Sequence, residues 1–98
     1  MVNVLYSDGE HVKLYSFTDA GTASQWEMEV LEIKHKIADV NQSDYLSLEE
    51  RVRGYNDWLR LVMDMKDWYG GDMVPDDIKK ACHDVEHHLG MGLTNFDN

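Results

Sequence analysis

From Val2 to Phe17 apolar and polar residues alternate along the chain. Val2, Val4 and Tyr6 fall on one side of an extended VNVLY segment, and HVKLYSF resumes the pattern after SDGE. A period of two is the signature of a half-buried strand. Asp8-Gly9 between the two runs is a hairpin signal, because Gly takes positive φ at no steric cost and Asp tolerates it. A two-stranded ribbon is marginal alone, so a helix or another chain has to cover it.

Further along the period changes to three and four. Ala23, Trp26, Val30, Ile33, Ile37 and Val40 lie within about a third of a helical circumference, with Glu29, Glu32, Lys36 and Asp39 outside it. The spacing predicts a helix over 23–40, opened by a capping box of Thr22 with Gln25 or Ser24 with Glu27. WEMEV within it also alternates at period two, so a third strand over 25–31 competes. Glu, Met and Leu favour the helix by propensity.

Ser47 followed by Glu50 is a clearer capping box, with Glu49 suited to the first turn. Leu48, Val52, Tyr55, Leu59, Val62 and Met63 form the stripe of a second helix, which Gly70-Gly71 stops near Tyr69. Trp58, Leu61, Met65 and Trp68 widen that apolar face well beyond one core-facing stripe. Such a helix is either central to the fold or covered by a second chain, and a homodimer through these four residues is the second expectation. Pro75 opens a third helix as its first residue, with Asp76 and Asp77 at the positive end. Ile78, Ala81, Cys82, Val85 and Leu89 share a face, and Gly90 closes the helix. Residues 91–98, MGLTNFDN, either dock through Leu93 and Phe96 or fray as a flexible tail. The whole pattern predicts an α+β fold, an N-terminal β-hairpin followed by three helices, as a single small domain over 1–98.

Charge narrows the partners. Nineteen acidic and nine basic residues give a net charge of −10. Such a chain repels nucleic acid and anionic membrane and is drawn to basic protein surfaces. No apolar run approaches the roughly 20 residues that span a bilayer. The N-terminal residues lack the pattern of a signal peptide. The lone cysteine, Cys82, has no intramolecular partner and sits on an apolar helical face, which suits a reducing compartment and a packing role. Cytoplasm is the expected location.

The stretch HDVEHH reads as H-x-x-E-H, the inverted zinc-hydrolase pattern. His83 and His87 are one helical turn apart, with Glu86 beside them, so a metal-binding protein built on His83, Glu86 and His87 is the alternative reading. Zinc chemistry needs a third protein ligand and an open position. Only 11 residues follow His87, and Lys79 and Lys80 stand one turn ahead of the pair. The helical wheel turns both histidines to solvent, with His88 near the edge of the apolar stripe. The E-x-x-H pair Glu32 and His35 likewise falls outside its helix's stripe, whereas di-iron bundles need such ligands inward. Nucleotide-binding, redox and serine-hydrolase signatures are missing. Neither catalysis nor a cofactor is expected.

Arg51, Arg53 and Arg60 are interspersed with Glu50 and Asp57, as on a solvated helix rather than a nucleic-acid stripe. Lys66 falls inside the apolar stripe and has to snorkel or pair. What remains is a small acidic protein-binding module, a stoichiometric inhibitor or regulator. Glu27, Glu29, Glu32, Asp76 and Asp77 would steer it to a basic surface, and Trp58, Leu61, Met65 and Trp68 would supply apolar contact. Carboxylates spaced on a rigid surface can also imitate a phosphate backbone, which makes a DNA mimic one form of this reading.

Overall fold

The computed structural model describes residues 1–42 and 46–96. Strands β1 (Val2–Ser7) and β2 (Val12–Phe17) form an antiparallel hairpin. Helices α1 (Ala20–Gln42), α2 (Leu48–Tyr69) and α3 (Asp76–His88) follow, with a 3-10 turn at Gly71–Met73 between the last two. This is the α+β hairpin-and-three-helix arrangement the periodicity predicts. Residues 25–31 are helical, so the competing third strand is not formed.

The hairpin register pairs Val2 with Phe17, Val4 with Tyr15 and Tyr6 with Lys13. Tyr15 and Phe17 are buried against Trp26 of α1, and Val2, Val4 and Tyr6 pack beside them. A three-part link ties this ribbon to the rest. The Tyr6 hydroxyl donates to both Asp77 oxygens, at 3.0 and 2.8 Å. Lys34 pairs with Asp77 at 3.3 Å and lies 4.6 Å from the centre of the Tyr6 ring.

Helix α1 begins earlier than either capping box predicted. Its cap is Asp19, whose carboxylate accepts from the Thr22 amide at 2.8 Å. Thr22 and Ser24 already lie inside the helix. Ser47 does cap α2, accepting from the Glu50 amide at 3.2 Å. Gly70 (φ 101°) ends α2, and Gly90 (φ 70°) follows α3, both in backbone that favours glycine. Pro75 stands one residue ahead of α3 rather than as its first residue.

Helix α2 packs against α1, the 3-10 turn and α3, while α1 also carries the hairpin. That position accounts for its wide apolar face. Trp58 and Met65 are fully buried in the chain's own core, and Trp58 donates its indole N–H to the Cys82 sulfur at 3.1 Å. They are not a contact surface for a second chain. Leu61 is half-buried against the same core, and Trp68 alone of the four is open, at 80% exposure. Burial also pushes the Cys82 thiol up to about 11, which keeps it protonated and unreactive.

Helices α1 and α2 approach each other closely at Gly54. A Cβ there would lie 2.5 Å from Val40 Cγ2, on a stiff β-branched side chain. Gly54→Ala is therefore expected to destabilise by about 1 kcal/mol. Overpacking costs roughly 1–3 kcal/mol, against a gain of about 1 kcal/mol in helix propensity. Adding Val40→Ala should turn the same substitution into a gain. Urea midpoints of the four proteins of this cycle read the change of sign.

Residues 91–96 fold back over α3. Phe96 is buried, while Leu93 stays 66% exposed, so one of the two expected anchors is used. Lys66 runs along α2 and brings its ammonium to the Asn95 carbonyl at 3.5 Å. Asp97 and Asn98, part of the expected tail, lie outside the described residues. Among the described residues no helix is long and apolar enough to cross a membrane.

Candidate functional site

The histidines of α3 do not assemble with Glu86. His87 and His88 are exposed, whereas Glu86 is fully buried. Its carboxylate accepts from the Tyr55 hydroxyl, the Thr94 hydroxyl and the Thr94 amide, the last at 3.1 Å. Burial pushes this carboxyl up, but the bonds from Thr94 and Tyr55 outweigh that cost and hold it below the usual carboxylate range. His83 is 4.0 Å from Glu86, bonds the Thr94 carbonyl at 3.0 Å and lies tilted against the Phe96 ring. The trio His83, Glu86 and His87 is thus split: one member is inside, one fastens the C-terminal segment and one faces solvent. Among the described residues no three His, Cys, Asp or Glu side chains are placed to hold a metal ion. Glu32 and His35 are exposed on α1.

The acids of the expected docking set also divide. Asp77 is committed to Tyr6 and Lys34 inside the fold, and so is not a free docking charge. Burial first, then Asp77, raises the Tyr6 hydroxyl far above its ordinary value. Asp76 is exposed, and the turn from β1 to β2 places Asp8 and Glu10 around a shallow depression shared with it. Glu29 is half-buried near Tyr69, whose hydroxyl burial and this carboxylate push up to about 12. Glu27 and Glu32 are exposed and make no hydrogen bond or ion pair among the described residues.

Beside those two glutamates the surface is apolar. Met28 is 72% exposed and Leu31 55%, one turn of α1 apart. Leu5, also 72% exposed, faces them from β1 across an open groove of about 380 Å³. Val4 and Tyr6 on one wall and Trp26, Glu27, Val30 and Lys34 on the other complete its lining. A second depression, of about 580 Å³, flanks the other side of Met28 and Leu31 and reaches Glu32 and His35. Leu14, the cross-strand neighbour of Leu5, and Val12 continue the apolar surface on the outer face of the hairpin.

Sequence reasoning placed the apolar contact on α2 and missed this one. The signal was present in two forms. VNVLY carries Leu5 on the face opposite Val2, Val4 and Tyr6, and Met28 and Leu31 lie outside the α1 core stripe. Only the fold shows that these two unsatisfied sets adjoin.

No family model matches the chain, and no curated protein or solved structure shows significant similarity to it.

Proposed function

We propose that the protein works by stoichiometric docking on a basic surface of another protein, as an inhibitor or regulator rather than by turnover. The observation that carries this reading is the pairing of exposed Met28 and Leu31 with the unpartnered carboxylates Glu27 and Glu32 on one helix, in a chain of net charge −10. Apolar side chains supply contact area, and a rim of one sign steers the encounter and rejects acidic partners.

The test begins with affinity capture at moderate salt and continues with surface plasmon resonance against the recovered partner. Glu27→Lys with Glu32→Lys should slow association about tenfold or more, and raised salt should slow the parent protein similarly. Met28→Ala with Leu31→Ala should mainly speed dissociation. Association indifferent to salt and to the double reversal would assign the acidity to solubility alone. Competition with DNA for the same partner marks a nucleic-acid mimic; simultaneous binding of both marks docking elsewhere on the partner.

A further inference from the structure

The groove beside Leu5 runs along a strand edge. Val4 and Tyr6 point to the core and Leu5 points away, yet all three line it, and no β2 residue does. A depression touching both faces of one strand lies against its free edge.

The hydrogen-bond ladder says which groups that edge offers. The Asp8 amide donates to the His11 carbonyl at 3.1 Å, next to the Ser7–Val12 pair. Bonded and non-bonded pairs alternate in an antiparallel ribbon. Tyr6, Val4 and Val2 therefore bond across to β2, and Asn3, Leu5 and Ser7 turn their N–H and C=O groups outward. Among the described residues no backbone hydrogen bond joins that edge to another element. Edge strands of folded proteins are ordinarily blunted by charge, proline or a covering element. VNVLYS has no charge and no proline. Strand β2, by contrast, carries the charge of Lys13.

Local charge selects the occupant. Lys34 in the groove is already paired with Asp77. Glu27 is unpaired, so the uncompensated charge is negative. A second copy of this chain would bring Glu27 and Glu32 against their own kind, on molecules of charge −10 each. An extended segment carrying Lys or Arg meets the opposite sign.

We infer that β1 accepts a third strand from the partner: an extended segment in which apolar residues alternate with Lys or Arg. Its backbone pairs with Asn3, Leu5 and Ser7. Its apolar side chains extend the outward face of Leu5, and its cations, on the alternate face, turn toward α1, where their stems cover Met28 and Leu31 and their charges reach Glu27. This rests on the proposed function and adds the mode of docking, strand addition at a sheet edge.

The probe is a nine-residue peptide of alternating Val and Lys with blocked ends, compared with the same peptide N-methylated at alternate residues. Methylation removes strand hydrogen bonds and leaves charge and side chains in place. In amide-resolved NMR titrations of the intact chain, the plain peptide should shift Asn3, Leu5 and Ser7 and slow their amide exchange about tenfold or more. The methylated peptide should bind about tenfold more weakly or worse. Leu5→Pro, which removes an outward N–H and no ladder bond, should abolish protection of the edge, and Glu27→Lys should weaken the plain peptide.

Equal, salt-sensitive binding of both peptides would overturn strand addition and leave charge-guided docking standing. Binding by neither would overturn it as well, while the partner's salt-dependent association still tests the broader reading. Protection of the same amides without peptide, with a doubled mass by sedimentation, would give the edge to a second copy and overturn the inference.

Discussion

Glu86→Ala is expected to lower the unfolding free energy by on the order of 3 kcal/mol, because three hydrogen bonds to a buried carboxylate are lost and the buried Tyr55 hydroxyl keeps no acceptor. That is a large part of the roughly 5–15 kcal/mol typical of a small domain. Tyr55→Phe removes one donor and should cost less, about 1–2 kcal/mol. Combining Tyr55→Phe with Glu86→Leu should recover part of the single-mutant loss, since both buried polar partners then go together. The pH dependence has a definite sign. The folded carboxyl titrates below its ordinary range, so its contribution is fully present above the unfolded value of about 4.3. It is lost as pH falls from there through the lower folded value. The parent protein should therefore lose stability on acidification below about pH 4.3 more steeply than Glu86→Gln. Urea titrations at stepped pH read both effects, and parallel acid profiles would deny the carboxylate this role.

The second large effect separates two tryptophans of one helix. Trp58→Ala should cost about 3–5 kcal/mol, because a fully buried indole leaves a cavity and its N–H contact with Cys82 is lost. Trp68→Ala should stay within about 0.5 kcal/mol, as an exposed side chain away from caps and networks does. Denaturation midpoints at unchanged m-value make the comparison. Equal losses at the two positions would contradict the burial of Trp58 and the exposure of Trp68.

The same helix shows how far periodicity reaches. Its limits were legible because Ser47, Glu50 and Gly70 are local signals that act on the adjacent backbone. Its surroundings were not, because an apolar arc wider than one stripe fits burial between neighbours and a partner-facing surface equally well. The positions of α1 and α3 decide between them, and no local residue encodes those positions. Glu86 was misplaced for a related reason. A wheel drawn for α3 alone sets it beside His83 and His87, but residues 91–96 return over that side and bring Thr94 to its carboxylate. Asp77 is the mirror case: suited by position to the helix's positive end, it is drawn inward by Tyr6, which lies 71 residues earlier. On α1 the exposure of Glu27 and Glu32 was legible in the sequence, since they fall outside the core stripe of their own helix. The groove beside them could not, because it is made by two elements meeting.

The reach of the Tyr6–Asp77 bond also sets a clock on synthesis. At about 5–20 residues per second, the 71 residues between the two take about 4–14 s to be made. Through that interval the hairpin has its own turn, and later Trp26, to hold it, but not the carboxylate that fastens it to α3. The fastening of the ribbon to the rest of the fold thus waits for α3 to be made, whatever the hairpin has formed by then.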